Sequence, residues 1–322
     1  YNIYGTGGVI GKTNQYLYNK ESVGIGRKGT IDRPFYFNEP FWTVDTLFYS
    51  EIFNAYPKFV FYLFQTINWY LYNQSTGVPS LTSSVIENIN KYIPKYAEQV
   101  KIAEVFTLLD DRINSQKKII SNIESQIKYI TEKIYNLKIG DKYPLSSVLR
   151  ERKIYSPKGS AYEHVTLSKE GIFPKTDRYD RDFLVMDENK EYKITKLNDL
   201  CYNPANLKFG VICQNKYGDA IFSPIYVTFE INKEYNPDYV CMILTNNGFI
   251  KYIRKYEQGT VYERMAVNSD DFLKAAIYIP NINIQNSITK LIKEYKEKLL
   301  NEKRILELYQ KQKDYLLNKM FI

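Results

Sequence analysis

One feature restricts this chain more than any other: it contains the same plan twice. Residues 92–135, YIPKYAEQVKIAEVFTLLDDRINSQKKIISNIESQIKYITEKIY, align without a gap on residues 278–321, YIPNINIQNSITKLIKEYKEKLLNEKRILELYQKQKDYLLNKMF, at a constant offset of 186. Tyr92-Ile93-Pro94 meets Tyr278-Ile279-Pro280, Gln99 meets Gln285, Ile102 meets Ile288, and Lys117-Lys118-Ile119 meets Lys303-Arg304-Ile305. Self-similarity at a fixed period means that one supersecondary plan is built more than once.

Each copy ends in a long helical pattern. In the first, Ile102, Phe106, Leu109, Ile113, Ile120, Ile123, Ile127, Ile130, Ile134 and Leu137 keep steps of three and four, interrupted only at Gln116. That is the spacing of a coiled-coil seam. The second seam runs through Ile288, Ile292, Tyr295, Leu299, Leu306, Tyr309, Leu316 and Met320, with Glu302 and Lys313 as polar breaks. Glu302 is the counterpart of Gln116, and a polar residue on a seam sets register at some cost in stability. Helices of roughly 37 residues extend about 55 Å at 1.5 Å per residue, too far for ordinary core helices of a small domain. Their seams therefore call for each other. Antiparallel pairing predicts two globular heads held apart by a helical bar. The same period also permits each helix to pack on its own domain.

The globular parts repeat less closely. GTIDRPFYFNEPFWTVDTLF (29–48) is set against GDAIFSPIYVTFEI (218–231), with Pro40 and Trp42 on Pro224 and Tyr226 at an offset of 184. Both read as aromatic and β-branched strands broken by Pro/Gly turns. The apolar stretches 56–72 and 236–256 read as core helices, and 75–84 and 257–271 as polar loops. The second copy begins near residue 140, which the offset places about 44 residues before residue 1, so the first copy is expected to lack its opening segment. The predicted class is α+β: two globular α/β domains separated by two long antiparallel coiled-coil helices in a pseudo-two-fold repeat. The predicted boundaries are a first domain at 1–97, a helix at 98–138, a second domain at 139–283 and a second helix at 284–322.

Composition narrows the function classes. The chain has 322 residues, 44% hydrophobic and 25% charged, which are globular values. No apolar run approaches the roughly 20 residues that span a bilayer, and the reading is a soluble, cytoplasmic chain. A net charge of +8 favours a polyanionic partner such as nucleic acid. Cys201, Cys213 and Cys241 lack metal-ligand spacing and read as buried free thiols, and His164, the single histidine, has no nucleophile arranged beside it.

Catalytic motifs fit poorly. YGTGGVIGKT (4–13) imitates a phosphate loop at Gly11, Lys12 and Thr13, but Thr6 stands where the first glycine belongs. FLVMDE (183–188) imitates a magnesium-binding strand, and Asp182, Glu191 and Lys193 imitate a nuclease carboxylate-lysine set. YNPA (202–205) and YNPD (235–238) lack the second proline of an amino-methyltransferase loop.

The plan resembles the specificity subunit of a type I restriction-modification system over essentially the whole chain. The residues that carry the resemblance are YGTGGVIGKTNQYLY (4–18) with ESVGIGRKGTI (21–31), and the junction PSLTSSVIENINKYIPKYAEQVKIAEVFTLLDDRI (79–113). The second copy departs at PNINIQNSI (280–288), which has no Glu before Gln285. The resemblance implies a non-catalytic protein in which each head reads one half of a bipartite double-stranded DNA site. It implies two adenine-N6 methyltransferase subunits and translocating endonuclease subunits as partners. S-adenosylmethionine, ATP and magnesium then belong to those partners, and none is expected in this chain.

Cationic and amide side chains flanked by glycine are the natural readers of phosphates and base edges. In the first head these are Lys12, Thr13, Asn14, Arg27, Lys28 and Thr30; in the second, Gln214, Asn215, Lys216 and Tyr217, with Thr260, Tyr262 and Arg264 in the later loop. The competing reading is a coiled-coil scaffold that joins proteins without reading DNA.

Overall fold

The structure is a computed structural model that describes residues 1–157, 162–175, 191–259 and 265–321. It divides into two compact units, Tyr1–Ile120 with Asn301–Ile322, and Ser121–Leu300.

The first unit opens with a hairpin, β1 (Asn2–Gly5) and β2 (Gly8–Lys12), followed by β3 (Ser22–Gly26), β4 (Phe35–Phe37), β5 (Phe41–Thr43) and β6 (Leu47–Tyr49). One sheet has the order β2-β1-β5, with β1 parallel to β5, and the other β4-β3-β6. Phe37, Phe41 and Leu47 form a core joined by Tyr4, Tyr18, Phe35 and Tyr49, and the Phe37 and Phe41 rings stack at 3.9 Å. Then come α1 (Pro57–Thr66), the short α2 (Ser83–Glu87) and the long α3 (Tyr96–Leu137).

Between them α3 and the C-terminal helix of the chain, Ile282–Met320, supply the seam. Phe106 contacts Phe321, Asp110 binds Lys313 at 2.7 Å, and the Gln116 amide donates to the Glu302 carbonyl at 3.0 Å and to its carboxylate at 2.5 Å. As one residue number rises the other falls, so the helices run antiparallel. Gln116 and Glu302, counterparts in the repeat, meet each other, which marks the centre of the crossing. Phe59, Tyr62, Leu63, Ala103, Phe106, Leu109 and Leu317 bury together, tying α1 to both long helices. Each large side chain removed from water contributes about 1.5–3 kcal/mol. The seam frays at its predicted ends, where Leu137 and Met320 are exposed.

The second unit adds β7 (Asp141–Pro144), α4 (Leu145–Val148), β8 (Leu149–Glu151), β9 (Tyr155–Pro157), β10 (Glu163–Leu167), β11 (Ile172–Pro174), β12 (Glu191–Thr195), β13 (Leu200–Tyr202), β14 (Ile212–Gln214), β15 (Ala220–Phe222) and β16 (Val227–Ile231). It continues with α5 (Pro237–Leu244), α6 (Asn247–Ile253), α7 (Ser269–Leu273), β17 (Ala276–Ile279) and α8, the Ile282–Met320 helix already described. The sheets are ordered β11-β10-β15-β12-β9, β14-β13-β16-β8 and β17-β7. A core of Leu145, Val148, Leu200, Tyr202, Phe229, Tyr239, Leu244, Phe249 and Phe272 joins the β14-β13-β16-β8 and β17-β7 sheets to the helices, and a separate cluster of Val165, Leu167, Ile172, Cys201, Ala220 and Phe222 lies on the five-stranded sheet.

The two units share one internal plan. The hairpin β1–β2 with parallel β5 corresponds to β10–β11 with parallel β15. The sheet β4-β3-β6 corresponds to β14-β13-β16. Gln99 accepts from the Tyr56 amide at 2.8 Å and donates to Pro94 O at 2.8 Å; Gln285 accepts from the Asn236 amide at 2.9 Å and donates to Pro280 O at 2.7 Å. Both glutamines are 2% exposed, so each clamp satisfies two backbone groups away from water. The match of Pro40 and Trp42 to Pro224 and Tyr226 does not hold. Trp42 lies in β5, whose counterpart β15 carries Ile221 at that place, while Pro224 and Tyr226 follow β15. Three-residue strands constrain spacing too weakly for a gapped match to find the register.

Candidate nucleic-acid interface

The glycine-rich opening is a hairpin and not a phosphate loop. Asn2 pairs with Lys12 and Gly5 with Gly8, the chain turns at Thr6-Gly7, and no helix follows Lys12. A phosphate loop needs a helix N-terminus after its lysine. The turn packs against the second glycine segment. A Cβ on Gly26 would lie 1.9 Å from the Thr30 carbonyl and 3.2 Å from Thr6, and one on Gly24 would lie 2.6 Å from the Phe37 ring. These glycines permit close backbone approach.

Around that corner the first unit forms a groove lined by Arg27, Lys28, Ser75, Val78, Ser80, Leu81 and Thr82. Lys28 bridges to Ser80, Leu81 N donates to Arg27 O at 2.8 Å, and Gly29 N donates to Pro79 O at 2.9 Å. Arg27 is held by a bond from its guanidinium to Asp45 O at 3.3 Å and by the Phe48 ring beneath it at 5.8 Å. Lys28 is exposed and forms no ion pair among the described residues, and Thr30 is half-buried beside it. The loop bearing Ser75–Ser80 was legible only as polar; its hydroxyls line the groove with the predicted cations.

Lys12, Thr13 and Asn14 lie at the other end of the hairpin, four residues or about 13 Å along the strand from Gly8. Lys12 lines a shallow recess with Tyr1, Asn2, Glu39 and Pro40. Asn14 is exposed, and Thr13 is half-buried, its hydroxyl accepting from Gln15 N at 3.2 Å.

In the second unit Gln214–Tyr217 leave β14, the place of residues 36–39 in the first unit. Asn215 is 0% exposed. Its amide donates to Thr195 Oγ1 at 2.9 Å and Gly218 O at 2.8 Å, and its oxygen accepts from Tyr217 N and Gly218 N. It holds the turn and has no atom left for a base, so it is corrected from reader to structural residue. Gln214 donates to Asp238 at 2.8 Å, and Lys216 binds the same carboxylate oxygen at 2.5 Å. Burial opposes ionisation of Asp238, but the bonds from Lys216 and Gln214 outweigh it and hold the carboxyl below its ordinary value. Tyr217 donates to Glu163, which raises the phenol's pKa. Thr260, Tyr262 and Arg264 lie outside the described residues. Gln258 and Ala266 exchange reciprocal backbone bonds beside their loop, while in the first loop Gln74 N donates to Ser80 O at 3.1 Å and Ser80 N to the Asn73 side chain at 2.9 Å.

Gln214, Lys216 and Asp238 border a cleft that also takes in Lys169, Lys293 and Lys296. Sequence reasoning missed the last three. Lys293 and Lys296 are one helical turn apart on α8, and their first-copy counterparts are Thr107 and Asp110, so charge at that face differs between the copies.

The catalytic alternatives lose their geometry. Lys193 is 4% exposed and paired with Glu151 at 3.3 Å, and Asp182 and the FLVMDE stretch lie outside the described residues. Asn203 and Asn236 of the two Asn-Pro stretches cap helical turns, each accepting from amides two and three residues on, with proline in the first turn. His164 sits edge-on to the Tyr192 ring at 4.6 Å. No group of three or more His, Cys, Asp or Glu arranged for a metal occurs among the described residues, and no described helix is long and apolar enough to cross a membrane.

Residues 1–125 match the family model for the type I restriction modification DNA specificity domain. Among solved structures, the S subunit of a type I restriction-modification system from M. genitalium aligns at TM-score 0.61 and 13% identity, covering 100% of this chain and 88% of that one. The HsdS subunit of Thermoanaerobacter tengcongensis aligns at TM-score 0.51 and 11% identity over 93% of this chain and 80% of that one. A chain from a structure of complex assembly and conformational transition in the type I R-M system aligns at TM-score 0.61 and 9% identity, covering 93% of this chain and 81% of that one. No curated protein matches the chain. Residues 1–125 are thus similar to the type I restriction modification DNA specificity domain, and the chain as a whole shares the fold of the S subunits of such systems.

Proposed function

We propose that the chain gives a methyltransferase and restriction complex its DNA specificity by reading a bipartite duplex site, one half with residues 1–97 and the other with 139–283. The helices 98–138 and 284–322 then carry two adenine-N6 methyltransferase subunits, to which endonuclease subunits are added. S-adenosylmethionine, ATP and magnesium belong to those subunits, and the assembly works in the cytoplasm on genomic DNA. Specificity subunits are the non-catalytic members of such complexes.

The observation that carries this reading is one internal plan built twice with different loops. A groove with Arg27, Lys28 and hydroxyl side chains stands at the hairpin corner of the first unit, and Lys169 and Lys216 line a cleft in the second. Identical scaffolds with unlike loops suit an asymmetric site: cations neutralise phosphates and fix register, and a few polar side chains read base edges.

The test is long-read sequencing of N6-methyladenine in the host with the gene intact and deleted. Loss of methylation at one bipartite motif supports the reading and supplies both half-sites. An unchanged methylome, with the methyltransferase expressed, overturns it in favour of a scaffold. On the assembled complex, Lys28→Ala should weaken binding to cognate and non-cognate duplexes alike and reduce the slope of log K against log salt by about 1.

A further inference from the structure

The second unit holds a cavity of about 220 Å³ where the end of α3 meets β7, β17, α5 and α6. Ile134, Ile139 and Ile243 supply aliphatic walls, and the rings of Tyr135, Tyr252 and Tyr278 complete them. The packing around it fixes two of the rings. A Cβ on Gly248 would lie 2.4 Å from the Tyr135 ring, so glycine at that place in α6 lets the ring rest on the helix. Tyr252 has the Lys255 ammonium 4.1 Å from its ring centroid. Burial, and after it the neighbouring Tyr252, raise the pKa of the Tyr135 phenol, which therefore keeps its proton as a donor. Its hydroxyl has no hydrogen-bond partner among the described residues.

The charge at the rim is of one sign. Lys142 stands directly opposite Tyr278 in the ladder of β7 and β17, so the two side chains share a face of the sheet. The Lys138 ammonium lies 5.8 Å from the centroid of the same Tyr278 ring. Both lysines are exposed, and neither forms an ion pair among the described residues. No carboxylate lines the cavity. Lys138 has φ 48°, the left-handed region that helix ends usually give to glycine or asparagine. Two cations beside one ring repel each other, and an anion between them reverses the sign of that interaction.

Apolar and aromatic walls with a single cationic edge suit a flat apolar body that ends in a negative charge. An apolar cavity of about 150 Å³ holds one benzene ring, so this larger one has room for two fused rings. We propose that the second unit binds a planar aromatic carboxylate in this cavity, its rings among Tyr135, Tyr252 and Tyr278 and its carboxylate between Lys138 and Lys142. The cavity shares no lining residue with the cleft of Lys169 and Lys216, so the assignment stands apart from the reading of DNA.

The experiment is calorimetric and ligand-detected NMR titration of the full chain with 2-naphthoate. The comparison ligands are 2-naphthalenemethanol, its neutral isostere, and octanoate, an acyl carboxylate. Naphthoate should saturate at one molecule per chain and bind about tenfold or more tighter than either comparison ligand. Lys138→Gln with Lys142→Gln, two exposed positions that leave the core intact, should remove that advantage over the neutral isostere. Lys208→Gln with Lys233→Gln removes the same charge elsewhere on the unit and should leave naphthoate affinity unchanged. Five results overturn the proposal: no saturable binding, equal affinity for the neutral isostere, tighter binding of octanoate, full affinity in the Lys138 and Lys142 variant, or an equal loss in the Lys208 and Lys233 variant. Displacement of naphthoate by inorganic phosphate or by a short DNA duplex would mean that the two lysines serve phosphate, and this too overturns the assigned ligand.

Discussion

Removing the Gln285 side chain tests whether the clamps hold the fold. Gln285 accepts from Asn236 N at 2.9 Å and donates to Pro280 O at 2.7 Å while 2% exposed, and Asn236 is the cap of α5. Gln285→Ala leaves one buried donor and one buried acceptor unsatisfied, at about 1–3 kcal/mol each, so a loss of about 2–6 kcal/mol is expected. At roughly 2–4 °C per kcal/mol for a unit of this size, the calorimetric transition of the second unit should fall by about 4–24 °C. Gln285→Glu separates the two bonds. A carboxylate still accepts from Asn236 N but faces the Pro280 carbonyl with no proton, so folding should raise its pKa. Its penalty is then largest at neutral pH and shrinks as pH falls and the proton returns, because a group with a raised folded pKa stabilises most in its protonated state. A transition unchanged within experimental error in Gln285→Ala, or a penalty in Gln285→Glu that grows on acidification, would refute the clamp.

Gly26→Ala places a methyl 1.9 Å from the Thr30 carbonyl, so the first unit should lose about 3 kcal/mol or more, measured by denaturant unfolding; a neutral result would mean that the hairpin corner is slack. Asn215→Ala should cost about 2–4 kcal/mol by losing the hydrogen bonds of its turn, yet leave DNA affinity of the folded complex unchanged, and a selective loss at one half-site would restore it as a reader. Because Asp238 is held below its ordinary value, its tie to Lys216 stabilises at neutral pH and is lost as pH falls through the folded pKa; acid titration of Asp238→Asn should lack that component.

Long-period features were legible in the sequence and short ones were not. The seams repeat over many turns, so Gln116 and Glu302 could be placed as counterparts, and the structure joins them. Gln99 and Gln285 were visible as a matched pair, but their clamps were not, because the partners Tyr56 and Asn236 are remote in sequence. Asn215 looked like a loop reader because a buried Asx turn and a solvated one share the same polar composition. Arg27 and Lys28 were placed in a groove they share with Ser80 and Thr82, whereas Lys12 was separated from them by the length of a hairpin that glycine spacing alone does not reveal. Lys169, Lys293 and Lys296 carried no local signal; only tertiary packing gathers them.

The cysteines give the chain a chemical convenience. Cys201 and Cys241 are buried, and burial pushes the thiols of Cys201 and Cys213 up to about 12. An exposed cysteine of pKa about 8.5 is by contrast thiolate in about one molecule in ten at pH 7.5. Burial therefore disfavours the thiolate, the form that attacks a maleimide, at all three cysteines. A Lys28→Cys variant accepts a single fluorophore at the mouth of the basic groove without removing any native cysteine, and its emission reports directly on what enters there.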